Sequence, residues 1–283
     1  MIRVLVALLL AAAVIPLAQA QFSININRLI DAAKNVGRAT TEIDEKGEIE
    51  LGREVASTLL GAAPLVQDDA LQRYVNHVGR WLASQTERPD LPWQFGVLEA
   101  PQLNAFATPG GTIFVTRGLL ERMKSEAELG GVLAHEIAHV LKKHHLNAIQ
   151  KNARASLAAD ALSLAMSDRN SQAREKLIAF GTEMYARGLD KADELEADRL
   201  GVAIAARSGY DTYGLPAVLQ TLQAMNPQDS GLALMFKTHP APGERLEALI
   251  RLASLLDLYA SQPQLAERFL ARLPHPVAAS TAK

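Results

Sequence analysis

"LAHEIAHVLKKHH", residues 133–145, packs four of the chain's seven histidines into eleven residues. His135 and His139 stand four apart around Glu136. On a helix, residues four apart lie one above the other on the same face, so both imidazoles reach one ion. Glu136 points aside, toward a water held by that ion. His-Glu-x-x-His therefore supplies two zinc ligands and a general base. The ion lowers the pKa of water from 15.7 to roughly 7, and the carboxylate takes the proton. The alternative is an amphipathic helix with a solvated histidine face. It fits poorly, because Leu133, Ile137, Ala138 and Val140 make the segment mostly apolar. Histidines and a glutamate buried in such a helix need partners.

Upstream, Ser125 and Glu128 form a Ser-x-x-Glu capping box ahead of the apolar run, so the helix is predicted to start there and to carry through at least His144. Lys142, Lys143, His144 and His145 read as its solvated end, where cations suit the C-terminal dipole.

A catalytic zinc takes three protein ligands and keeps one position open. The candidate source of the third is "DELEADRLG", residues 193–201, in another predicted helix. Glu194 and Asp198 are four apart on one face, which suits one carboxylate ligand and a second that orients a ligand histidine. Glu196, facing away from Asp198, is the other candidate ligand, and spacing leaves the choice open. By itself such a run more often marks a solvated acidic face.

Around these motifs, residues 47–60 read as a helix. Asp68 or Asp69 caps another, with Leu71, Val75, Val78 and Leu82 at helical spacing. Residues 93–100 alternate as a strand. In "NAFATPGGTIFVTRGLL", residues 104–120, Pro109-Gly110-Gly111 is a turn and "TIFVT" a β-branched, aromatic strand. From about residue 150 to 272 the pattern is almost wholly helical. Gly188 and Asp190 mark a helix stop and a new cap, Ser208-Gly209 a further break, and "KTHPAPG", 237–243, a loop. His77 reads as structural.

The first twenty residues have a basic start at Arg3, an apolar run from Val4 to Ile15 and a small-x-small close at Ala18-Gln19-Ala20. They read as a signal peptide, the alternative being an uncleaved anchor. No second membrane-spanning candidate follows. With no cysteine, the chain has no disulfide to lean on, which suits the bacterial periplasm combined with a metal and a sizeable core. A net charge of -2 and 5% aromatic residues leave no basic or stacking footprint for nucleic acid.

"HEIAH", "ELEAD" and "THPAPGERL", in this order and with residues 104–120 upstream, resemble the HtpX- and BepA-like gluzincin metallopeptidases, which include the CAAX prenyl endopeptidases. The resemblance spans roughly residues 47–255. It implies a mainly helical α+β zincin-like metallopeptidase domain, with a small edge-strand sheet over the active-site helix. It implies one zinc ion per chain, with Glu194 as third ligand beside His135 and His139, and Asp198 behind them. It also brings in His239 and Arg245. His239 either stabilises the oxyanion or occupies the fourth zinc position as a switch. Arg245 serves as an electrostatic or supporting group. The segment from Asn104 through Ala105, Phe106 and Ala107 to Gly111 resembles the strand lining the family's cleft, to which an extended substrate adds backbone to backbone. An ordinary core hairpin is the alternative.

The chain then divides into a leader (1–20), an N-terminal arm (21–46), a metallopeptidase domain (47–272) and a disordered tail (273–283). Unlike HtpX-like members it shows no membrane spans after the leader, and unlike BepA-like members no tetratricopeptide repeats. Residues 152–176, broken by "SDRNSQ" at 167–172, read as a lid. The expected function is an exported, periplasmic zinc endopeptidase acting on unfolded or misassembled envelope proteins, with the outer-membrane assembly machinery as a partner. The rivals are a zinc-stabilised chaperone or assembly factor latched by His239, and a purely structural zinc site.

Overall fold

The computed structural model describes residues 43–160, 188–226, 231, 232, 235 and 238–273. The leader, residues 21–42 of the arm, the break at 167–172 and residues 274–283 of the tail lie outside these.

Helix α1, Glu45–Ala62, begins two residues inside the stretch read as the arm, because Asp44 caps it through the Gly47 amide. Helix α2, Asp69–Ser84, is capped by Asp68, which accepts from the Leu71 amide. Strands β1 (Gln94–Leu98), β2 (Ala105–Thr108) and β3 (Thr112–Thr116) form one sheet in the order β1-β3-β2. β1 runs parallel to β3, and β2 runs antiparallel to it, with Phe106 opposite Phe114. The β2–β3 hairpin turns at Gly110 and Gly111, whose φ values of 77° and 100° suit residues without a Cβ. The outer edge of β1 is closed by α2, since the Phe95 and Val97 amides donate to Asn76 and Gln72.

A short helix α3, Arg117–Leu120, leads into α4, Glu126–Leu141. Every residue of α4 from Glu126 to Val140 is buried, which makes it the axis of the molecule. Its cap is a variant of the predicted box: Ser125 Oγ accepts from the Glu128 amide, while the Glu128 carboxylate accepts from the Lys124 amide. Ser125→Ala is expected to lower unfolding stability by about 1 kcal/mol. Urea denaturation reads this, and an unchanged midpoint would mean that burial alone starts the helix.

Helix α4 ends at Leu141, short of His144. Lys143 takes a left-handed φ of 56° and a new helix, α5 (His144–Asp160), sets off from there. His144 is buried and its ring meets that of His139 at a centroid distance of 5.1 Å. The solvated end predicted for residues 142–145 is therefore wrong at His144, because the chain turns back over the helix at Lys143.

Helix α6, Lys191–Arg207, follows Gly188 and Asp190 as predicted, and Ser208-Gly209 ends it. It packs most closely on α4. A Cβ on Gly201 would lie 2.9 Å from the backbone of His135, so glycine there lets the two helices touch. Helices α7 (Gly214–Gln223) and α8 (Pro242–Ile250) complete the wall, with Pro242 in the first turn shortening the loop predicted for 237–243. Short helices α9 (Ala253–Leu256) and α10 (Ala266–Leu270) follow. One apolar core runs from Val66 to Phe269, and a smaller one lies under α1 around Val55, Phe106 and Ile149. The architecture is mainly helical α+β, with the sheet against the axis helix. No helix among the described residues is long and apolar enough to cross a membrane.

Candidate metal centre

Near the C-terminal end of α4, His135, Glu136 and His139 are 3%, 2% and 1% exposed. Helix α6 brings Glu194 against them with 0% exposure. His135 Nε2 lies 3.1 Å from His139 Nε2. From the Glu194 carboxylate, the two nitrogens are 3.6 and 3.5 Å away. The fourth donor is His239, whose Nδ1 is 2.8 Å from Glu194 Oε2. His135, Glu194 and His239 offer ligand atoms all within 4.8 Å of one another. Zinc bonds of about 2.0–2.1 Å at tetrahedral angles place donors roughly 3.3 Å apart, so these spacings fit one ion. The buried Glu194 Oε1 has no hydrogen-bond partner among the described residues. An orphaned carboxylate oxygen 3.5 Å from His139 Nε2 is what a bound cation would satisfy.

Electrostatics support the same set. Burial works to raise the Glu194 pKa, but His239, His135 and Arg245 outweigh it and hold the carboxyl at about 2. Burial pushes His139 well below the usual imidazole range, so its ring is neutral and able to ligate. Burial also raises Glu136, against the pull of His135 and His239. His239 is raised, its burial being outweighed by Glu194.

Behind His135 stands a second layer. Its Nδ1 is 2.9 Å from Asp198 Oδ1. Arg245 grips the same carboxylate through Nε at 2.8 Å and Nη2 at 2.5 Å. Burial opposes the charge on Asp198, yet Arg245 and His135 hold its pKa well below the ordinary range. Glu196, the other candidate ligand, is 39% exposed at its side chain and pairs with Lys142 at 3.2 Å, away from the donors.

The remaining predicted residues divide. Ala105 lines a small cavity with His135, Glu136 and His239, about 30 Å³ in size and otherwise walled by residues such as Val132 and Leu219. That is room for a water beside Glu136. Ala107 faces the same core, but Phe106 turns to the core under α1. Asn104 is buried and its amide reaches Thr238, next to His239, at 3.4 Å. Its side chain thus tethers the His239 turn and does not face the cavity.

Sequence reasoning missed two groups here. His144 touches His139, Nδ1 to Nδ1, at 3.0 Å. His145 lies against the same ring at a centroid distance of 5.2 Å, with burial pushing its pKa to about 3. Positions five and six after His139 carry no helical signal, so only the break at Lys143 reveals them.

A His-Glu-x-x-His helix joined by a glutamate from a second helix defines a metallopeptidase. The family model described as Peptidase family M48 matches residues 69–253, and the chain belongs to that family. It is similar to the beta-barrel assembly-enhancing protease of Escherichia coli (strain K12), 30% identical over 249 residues, covering 86% of this chain and 50% of that protein. The protein of that name from Yersinia pestis is 31% identical over 215 residues, covering 74% of this chain and 44% of its own. The mitochondrial metalloendopeptidase OMA1 of Schizosaccharomyces pombe is 32% identical over 178 residues, covering 62% and 51%. The chain spans about half the length of these curated relatives.

Proposed function

We propose that this chain is a zinc endopeptidase of the bacterial envelope, cutting unfolded or misassembled proteins, with zinc on His135, His139 and Glu194. The observation that carries the reading is the buried donor cluster with its orphaned Glu194 oxygen, set beside a water-sized cavity that Glu136 lines. Zinc held in that cluster would supply a Lewis acid for the scissile carbonyl and lower the pKa of a water. Glu136 takes the proton from that water and returns it to the leaving amine, and a carboxyl raised by burial is better matched to both tasks. Asp198, clamped by Arg245, accepts from His135 Nδ1 and so keeps Nε2 turned toward the donors. The strand β2 is the surface to which an extended substrate adds, its backbone read more than its side chains. The apolar leader and the lack of cysteine support an exported, periplasmic protein. The name of the beta-barrel assembly-enhancing relatives supports β-barrel assembly as the setting, and our reading takes the outer-membrane assembly machinery as a partner. A single domain over residues 47–272 is part of the same reading.

A second reading concerns rest. The 2.8 Å contact between His239 and Glu194 favours a latched state, in which His239 sits among the metal donors and blocks the open position. The test pairs zinc content with cleavage of unfolded casein, for the wild type and His239→Ala. One zinc per chain and cleavage abolished by a chelator are expected. His239→Ala is expected to cleave faster than wild type, because the latch is gone. A fall of about 10²–10³ instead would assign His239 to the developing oxyanion. Zinc without cleavage in either form would move the reading to a chaperone or assembly factor.

A further inference from the structure

The two histidines on α4 are held by different devices. Behind His135 stands a carboxylate fixed by an arginine. Among the described residues, neither stands behind His139. Its Nδ1 faces another histidine, His144, at 3.0 Å. On its far side, His144 Nε2 is 3.4 Å from Glu196 and 3.7 Å from Asp193, both on α6.

We infer that His144 is a positioning residue for the metal site, an imidazole relay that fixes the tautomer and ring angle of His139. This rests on the zinc-peptidase reading above. A ligating imidazole must offer the lone pair of the nitrogen that faces the ion. In His139 that is Nε2, so the proton sits on Nδ1 and donates. The acceptor it meets is His144 Nδ1, which must then be unprotonated. The His144 proton therefore sits on Nε2 and points at the two α6 carboxylates. Each donor finds one acceptor, and the direction of the whole chain is set by the ion.

The backbone is built for this contact. Had α4 continued, His144 would stand five residues on from His139, about 140° around the helix, and could not meet its ring. The left-handed turn at Lys143 brings it back. Lysine pays for that conformation with strain, and such strain clusters at functional sites. Lys143 is held there by Glu48 of α1, 3.6 Å from its Nζ. Glu196 is also fixed from a second side by Lys142. Thus the acidic run on α6 performs two tasks on alternate faces. Glu194 and Asp198 serve His135 and the ion, and Asp193 and Glu196 serve His139 through His144.

The test is zinc affinity of the purified full chain, by competition with a chelator, alongside the thermal midpoint of the metal-free protein. His144→Phe keeps a ring but no acceptor, and is expected to weaken zinc binding by about 10–100-fold. His144→Asn puts an amide oxygen close to where Nδ1 stands, and is expected to recover most of that loss. A His144→Phe chain with wild-type zinc affinity would overturn the relay while leaving the peptidase reading intact. Equal loss in His144→Phe and His144→Asn would also overturn it, leaving His144 as packing. If His144→Phe lowers the metal-free midpoint as well, the Asn variant decides. A wild type that binds no zinc would overturn the metal reading and the relay together.

Discussion

Glu136→Gln is expected to keep zinc and fold and to lose casein cleavage by about 10²–10⁴-fold, the range for a general acid–base group. Glutamine matches glutamate in shape and cannot take a proton. The loss should appear equally in kcat and in kcat/KM, because the base acts only as the transition state forms. KM should stay near the wild-type value. Stability should not fall, since the buried carboxyl is already raised by burial and glutamine removes a charge that burial opposes. The same variant separates catalysis from binding. Phenotypes of a deletion strain that Glu136→Gln restores belong to a chaperone or assembly role. Phenotypes that it leaves unrepaired belong to hydrolysis. A Glu136→Gln chain that cleaves casein at the wild-type rate would remove Glu136 from the mechanism. The donors would then hold a structural ion.

What the sequence could and could not disclose follows from the range of each interaction. The capping of α2 and α4 by Asp68 and Ser125 was legible because a cap acts within three residues. His135, Glu136 and His139 were legible because helical spacing aims them. Placing Glu194 and not Glu196 at the donors needed a resemblance, since both lie on one acidic run and only packing against α4 distinguishes them. Gly201 provides that packing, and nothing about a lone glycine in a helix announces it. The predicted helix end failed at Lys143 because propensity gives lysine no reason to leave a helix. Glu126 carries no signal in the sequence that marks it out. In the structure it is fully buried and accepts from Tyr74 at 2.6 Å, from Tyr210 at 2.8 Å and from Arg268 Nε at 2.6 Å. Those partners come from α2, the turn after α6 and α10, and polar pairings over such separations leave no periodic trace. The sheet order was hidden for the same reason, since the parallel partner of β1 lies beyond a crossover through β2.

Arg245→Leu is expected to cost about 3–5 kcal/mol of metal-free stability, the range for leaving a buried charge without its partner. Arg245 is 4% exposed and bonds Asp198 at two points. Its Nη1 also lies 4.0 Å from Glu194. Without it, two buried carboxylates stand near each other with only histidines to answer them. Asp198→Asn with Arg245→Leu removes the stranded charge as well. The double variant should therefore be more stable than Arg245→Leu alone, although it has lost more polar contacts. The pH dependence has a definite sign. The folded pKa of Asp198 is depressed, so the pair contributes fully above the unfolded value of about 3.9 and is lost as the pH falls through the folded pKa. In Arg245→Leu the carboxyl is left to burial and moves up. The stability gap between wild type and variant should thus be wide at pH 7 and narrow as the pH approaches 4. Zinc affinity should also fall by about 10–100-fold, because Asp198 no longer holds His135 at a fixed angle. Urea denaturation of the three chains at both pH values decides the matter. If Arg245→Leu loses less than the double variant, the arginine is not compensating Asp198, and the second layer behind His135 is packing and not electrostatics.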